Sequence, residues 1–155
     1  MNKEFDKMQK ILKKEFGKHR KMYLATSFND IPKVKIVNTY YWDKSFYLIT
    51  LESSDIVQEI INNQNVCLCT TASFHKFYGE GIIIGHPLKV ENKEIRDLIS
   101  GAKSNWYAEH CDESDPELCL IQVKLTTAFT YANKIGYNVN FGTNELESFC
   151  FTPFS

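Results

Sequence analysis

No stretch of this chain is both long and apolar enough to cross a membrane, and its lysine-studded beginning lacks the apolar run of a secretory leader. Glycine is scarce, with seven in 155 residues. No glycine-rich loop follows a strand, which argues against a Rossmann-type nucleotide site. The five cysteines are odd in number and show no small secreted-domain pattern, so no disulfide framework is expected. Cys67 and Cys69, two apart, lack the paired spacing of structural zinc sites. Neither sign of charge prevails: the net charge is −1, giving no general attraction to nucleic acid or to anionic membranes. These absences together predict a cytoplasmic protein with reduced thiols and no resident metal.

What is present is a chain of single-domain length, read as one unit over 1–155, with 43% hydrophobic and 14% aromatic residues. The aromatic share leans towards strands. Charge is unevenly placed. Residues 1–21 carry eight Lys or Arg against three acids, as expected of a solvated helix face. On the other face Phe5, Met8, Leu12 and Phe16 recur at helical spacing, and Gly17 follows as a stop.

Strand patterns dominate thereafter. Residues 20–28 read as a strand, Asn29-Asp30 as a turn, and 33–42 as an alternating then aromatic strand. Asp43-Lys44-Ser45 marks a hairpin into Phe46–Thr50, and 55–63 a short helix bearing Ile56, Val57, Ile60 and Ile61. Further strands are expected at 65–72, 81–91 and 118–133, and a helix at 92–100, with helix plus loop over 102–117. The tail after Gly136 shows no clear periodicity. Hairpins joined this way, with a helix first, one mid-chain and one late, predict an α+β fold: an antiparallel, closed or partly closed β-barrel with flanking helices.

The corner after Thr50 draws the most attention. Ser53, Ser54 and Asp55 are good N-cap residues, and a helix N-terminus offers unpaired N–H groups to an anion. Lys33 and Lys35 on the preceding strand supply cations.

These residues also carry a resemblance. "PKVKIV", the Trp42-Asp43 hairpin and "LITLESSDIVQEIINNQNVCLCT" resemble, in order and spacing, the pyridoxamine 5′-phosphate oxidase-like FMN-binding split-barrel family, including its general stress protein and nitroimidazole-resistance-like members. In that family the strand reads Pro-x-x-Arg-x-Val, matched here by Pro32, Lys35 and Val37. Its Ser-x-Lys opens the helix, matched by Ser54 but departing at Ile56. Lys35 keeps the charge of the family's Arg without its bidentate fork, and Ile56 removes a cation, with Lys33 and Lys76 as substitutes to consider.

The resemblance implies an antiparallel split β-barrel, a homodimer with an FMN in each of two clefts between subunits, and a small-molecule substrate. Lys35, Ile36, Val37 and Asn38 would line the ring, Ile49 and Thr50 would meet its polar edge, and Lys35, Thr50, Ser53 and Ser54 would hold the phosphate. Trp106 or Tyr107 of a partner subunit would close the site. The function implied is oxidoreduction with a nicotinamide donor, the flavin carrying the redox chemistry so that no triad is required. A true pyridoxamine 5′-phosphate oxidase is not expected, because this tail lacks the basic substrate-binding motifs of that enzyme.

The rival readings are a non-catalytic flavin- or haem-binding redox sensor or stress protein, with His75, His86 or His110 as possible axial ligands, and an OB-like nucleic-acid binder using Tyr40, Tyr41, Phe46 and Tyr47. The latter is disfavoured because a positive groove is missing. Phe149, Phe151 and Phe154 read as an apolar tail that packs on the barrel or partner, or as a lid.

Overall fold

A computed structural model describes residues 3–153. Helix α1 (Lys3–Phe16) comes first, followed by the hairpin strands β1 (Arg20–Phe28), β2 (Ile31–Trp42) and β3 (Ser45–Leu51). Helix α2 (Asp55–Asn62) leads to β4 (Asn65–Thr70) and β5 (Lys76–Gly85); α3 (Lys93–Ser100) and α4 (Trp106–His110) precede the long β6 (Leu118–Ala132), then β7 (Ile135–Asn140) and β8 (Glu145–Cys150). All strand pairings are antiparallel. The order β3-β2-β1-β4-β5-β6 closes through β3–β6, making a six-stranded barrel, and β7 and β8 extend the sheet beyond β6. The fold is therefore α+β, a closed antiparallel barrel with two added strands and four helices, as the hairpin pattern predicted.

Three hairpins turn on pairs of residues with positive φ: Asn29-Asp30, Asp43-Lys44 and Asn133-Lys134. That geometry matches strand twist, and Asn and Asp tolerate it better than most residues. β6 serves two neighbours along one edge. Leu118–Lys124 pairs with β3, and Thr127–Ala132 pairs with β7.

The barrel interior is filled by alternate strand residues. Phe16, Phe46 and Phe77 form an edge-to-face trio with centroids 4.8–5.6 Å apart. Phe5, Met8, Leu12 and Phe16 bury the apolar face of α1 at the end of the barrel near Tyr41, whose hydroxyl donates to Gln9 Oε1. Helix α2 packs with Val57 and Ile60 at the opposite end, near Thr26 and Lys35. Gly81 makes that packing possible, since a Cβ there would lie 3.0 Å from Ile60. A second, smaller core (Tyr40, Ile95, Ile99, Tyr107 and Leu120) sits outside the barrel under α3 and α4.

The structure corrects two expectations about elements. The strand expected at 81–91 begins earlier, at Lys76, and ends at Gly85, where φ is +88°. Beyond it the chain turns through His86–Lys89 into a short 3-10 turn at Val90–Asn92, and the Asn92 amide donates to the carbonyls of Ile84 (2.9 Å) and His86 (3.0 Å). The tail, which shows no clear periodicity in sequence, forms β7 and β8. Phe149 and Phe151 of that tail pack around Phe129 on the outer sheet face (centroids 6.0 and 4.9 Å); Phe154 lies outside the described residues.

Candidate functional site

β2 and β3 pair over three positions only, Tyr40–Tyr47, Tyr41–Phe46 and Trp42–Ser45. Past that point they diverge. Ile31–Thr39 of β2 pairs with β1 alone, and Leu48–Leu51 of β3 pairs with β6 alone. Two strand edges therefore flank a split whose backbone N–H and C=O groups make no ladder bonds across it. Such edges invite an occupant. The split brings the expected ring-lining strand, Lys35–Asn38, and the expected edge, Ile49–Thr50, to its two sides.

Side chains divide by face. Val37 points into the barrel core, while Val34 (70% exposed) and Ile36 (61%) stand on the outer face, an apolar pair without a cover. Asn38 shares that outer face; its Nδ2 donates to His19 Nδ1 (2.9 Å), and His19 Nε2 meets the Ile99 carbonyl (2.9 Å). Trp106 lies beside His19 (5.2 Å) and stacks on His110 (5.1 Å, 14°). Trp106 is thus gathered with Asn38 of its own chain through His19, a residue the sequence reading passed over. Tyr107 is engaged elsewhere, buried with its hydroxyl donating to Glu113 Oε1 (2.7 Å). The Ile49 side chain joins the small outer core rather than facing the split, leaving its backbone as the group on offer.

At the anion end the structure departs from expectation. Lys35 turns towards α2, where its ammonium donates to Glu59 Oε1 and lies 3.3 Å from Thr26 Oγ1. Thr26 Oγ1 in turn donates to the same Glu59 oxygen (2.7 Å). Glu59 is only 7% exposed. Burial pulls the Lys35 amine below its ordinary value, and Asp55 in the first turn of α2 opposes that pull. Ile56 packs against the barrel core. Ser53 Oγ donates to Glu117 Oε2 (3.2 Å), and Ser54 occupies the N-cap position of α2 without a side-chain cap bond. The Ser54 Oγ is a buried side-chain oxygen with no hydrogen-bond partner among the described residues. Lys76, considered as a substitute cation, stands three strands away on β5, over the ring of Phe129.

Glu59 was legible only in part. At helical spacing it falls with Ile56, Val57 and Ile60 on the buried face of α2, where an acid needs a partner. Its partner on β2 was not deducible.

The remaining candidates are structural. His75 is 8% exposed, bonded through Nδ1 to Thr130 Oγ1 (2.5 Å) and stacked on Tyr131; burial pushes its pKa down to about 4. His86 has both ring nitrogens engaged, by the Asp115 carbonyl and the Leu88 N–H. Cys67 and Cys69 share the outer face of β4, and burial raises the Cys67 thiol. No group of three or more His, Cys, Asp or Glu among the described residues is arranged to hold a metal. No helix among them is long and apolar enough to cross a membrane. An open groove of about 630 Å³ lies on the same outer sheet face, between Lys76, Tyr78, Phe129, Asn138 and Glu147.

A flat ring with a polar edge fits the open strand edges and the Ile36 face. A phosphate dianion does not fit the far end as it stands, because its cation is held by Glu59 and the first turn of α2 carries Asp55. The orphaned Ser54 hydroxyl suits any polar ligand atom there.

No protein-family model matches the chain, and no curated protein matches it in sequence. Solved structures do. General stress protein 26 from Bacillus anthracis is 20% identical, with 79% of this chain and 92% of that one aligned at a TM-score of 0.62. A protein related to general stress protein 26, of the pyridoxinephosphate oxidase family, from Clostridium acetobutylicum is 17% identical over 94% and 100% of the two chains, at 0.61. A pyridoxamine 5′-phosphate oxidase-related, FMN-binding protein from Nostoc punctiforme is 14% identical over 86% and 87%, at 0.56. The same fold also occurs in a haem-binding protein from Mycobacterium smegmatis and in an F420 reductase. This chain has the split-barrel fold of the pyridoxamine 5′-phosphate oxidase-like proteins.

Proposed function

We propose that the protein is a flavin-binding split-barrel protein acting as a small-molecule oxidoreductase with a nicotinamide donor. The observation that carries this reading is the divergence of β2 from β3. It leaves unpaired backbone groups on both sides of a slot and an apolar outer face beside it. The isoalloxazine ring has matching parts: a flat face for Ile36 and a polar edge for the backbone of Ile49 and Thr50. The likeness to an FMN-binding protein from Nostoc punctiforme supports a flavin over other flat ligands. FMN is the form named by the resemblance in sequence, with Ser53 and Ser54 nearest its phosphate and Lys35 available only once it leaves Glu59.

The uncovered outer-face residues Val34 and Ile36 are the surface on which a second copy would sit, building a homodimer with Trp106 near the cleft. A bound flavin supplies the hydride chemistry. The protein's part is to orient the ring and to exclude water from it. Anaerobic mixing of the flavin-loaded protein with NADH or NADPH tests the activity. Bleaching of the flavin absorption by either donor is the expected result, and a flavin that stays oxidised would leave a non-catalytic carrier or sensor.

A haem-binding role is the second reading, favoured by the fold of the Mycobacterium smegmatis protein. The exposed, Trp106-stacked His110 would be its axial candidate, since His75 is buried and His86 has both nitrogens engaged. A Soret band in the purified protein, lost in His110→Ala, would establish it.

A further inference from the structure

We infer that Glu59 is the specificity residue of the cleft: it takes Lys35 in place of a ligand phosphate and sets the site to bind a flavin without preference for the phosphorylated form. The inference rests on the flavin reading and adds to it which flavin is accepted.

Three features converge on it. Lys35 is the cation that the strand β2 offers to the N-terminal end of α2, and its ammonium is already bonded to Glu59 Oε1, with Thr26 Oγ1 on the same oxygen. A phosphate claiming Lys35 would have to displace a carboxylate and leave it behind at 7% exposure with one hydroxyl for company. An uncompensated buried charge is strongly unfavourable. Second, the local charges already balance. Lys35 is paired with Glu59 and has Asp55 and Lys33 as its other charged neighbours, two cations against two acids, so an arriving dianion meets no net positive field. The next helical position, Ile56, is turned into the core and offers nothing. Third, the group left without a partner at this end is neutral. The Ser54 hydroxyl can both donate and accept, which suits a hydroxyl of a ribityl chain as well as a phosphate oxygen.

Thr26–Glu59–Lys35 thus acts as a built-in occupant of the anion position. A glutamine at 59 would keep the shape and a hydrogen bond to Thr26 while releasing the ammonium.

Riboflavin and FMN differ by the phosphate alone, so the ratio of their dissociation constants reads the site directly. Both are measured by quenching of flavin fluorescence on the full chain, for the unmodified protein, Glu59→Gln and Glu59→Gln/Lys35→Met. The unmodified protein is expected to bind the two flavins within about tenfold of each other. Glu59→Gln is expected to raise the FMN preference at least tenfold, and the double variant to lose that gain. Tight FMN binding by the unmodified protein, a hundredfold or more over riboflavin, would overturn the inference while upholding the flavin reading. An unchanged ratio in a folded Glu59→Gln would do the same. Should Glu59→Gln fail to fold, the ratio for the unmodified protein decides alone. No binding of either flavin by any folded form would overturn both.

Discussion

Lys35 shows how far single residues can be read without a structure. Its place in Pro-x-x-Lys-x-Val marked it as a site residue, and it does stand at the end of the barrel beside α2. Its occupation by Glu59 was hidden, because the two are 24 positions apart and meet only when α2 folds back over the barrel end. Ser54 shows the converse. The sequence predicted a capping serine, and it does take the N-cap position, yet its hydroxyl makes no cap bond. A capping Ser→Ala change ordinarily costs about 1 kcal/mol. Ser54→Ala is therefore expected to leave the unfolding free energy of the ligand-free protein in urea unchanged within about 0.5 kcal/mol, or to raise it, since a buried orphan oxygen is removed. A loss of a full cap's worth would mean that the hydroxyl is bonded in solution.

His75 carries a pH dependence of known sign. Its folded pKa, about 4, lies below the ordinary value of 6.5, because burial disfavours the imidazolium. The unfolded chain thus binds the proton first as pH falls. The contribution to stability is complete above 6.5 and is lost progressively as pH drops from there towards 4. His75→Gln, which cannot titrate, should show a smaller fall in unfolding free energy between pH 7 and pH 4.5 than the parent, by on the order of 1–2 kcal/mol. Equal falls would place the acid sensitivity on other groups.

Elements were legible where side-chain period and turn chemistry agree. The 3-4 spacing of Phe5, Met8, Leu12 and Phe16 is the buried stripe of α1. Asn29-Asp30 and Asp43-Lys44 are the turns they were expected to be. The errors fall where backbone geometry overrides pattern. His86–Glu91 alternates like a strand, but Gly85 at positive φ swings it out of the sheet, and the buried Asn92 holds it there. β7 and β8 interleave the strand formers Ile135, Tyr137, Val139 and Phe149 with Gly, Asn and Glu, which blurs their pattern, and they form along the open edge that the second half of β6 presents. The hairpin turns themselves are improvable. Asp30 adopts a φ of 66°, which costs an L-residue and suits glycine. Asp30→Gly is expected to stabilise the protein by about 0.5–1 kcal/mol in denaturant unfolding; a loss would show that the Asp30 side chain supports the turn.

The molecule as a whole is a barrel with one incomplete seam, and the seam is where its function is proposed to lie. Alternation and hairpin order were enough to predict the barrel. The seam was not readable from periodicity, because β2 and β3 each look like ordinary strands, and their parting after Tyr40 depends on which neighbour each strand finds. Beside the seam, Val34 and Ile36 share one strand face and are both more than half exposed. A second copy covering them is expected to make the protein a dimer in solution. Ile36→Glu should then give a folded monomer by light scattering on a sizing column, with flavin affinity reduced at least tenfold; a variant that stays dimeric would move the interface elsewhere.

The most direct test of flavin binding at the seam is a titration of the purified protein with riboflavin and with FMN, followed by flavin fluorescence and the visible spectrum. Saturable quenching at one flavin per chain, abolished by Ile36→Trp, whose ring would cover the outer face proposed for the flavin, in a protein that still unfolds cooperatively, is the expected result. A protein that leaves both flavins fully fluorescent at concentrations well above that of the chain would contradict it.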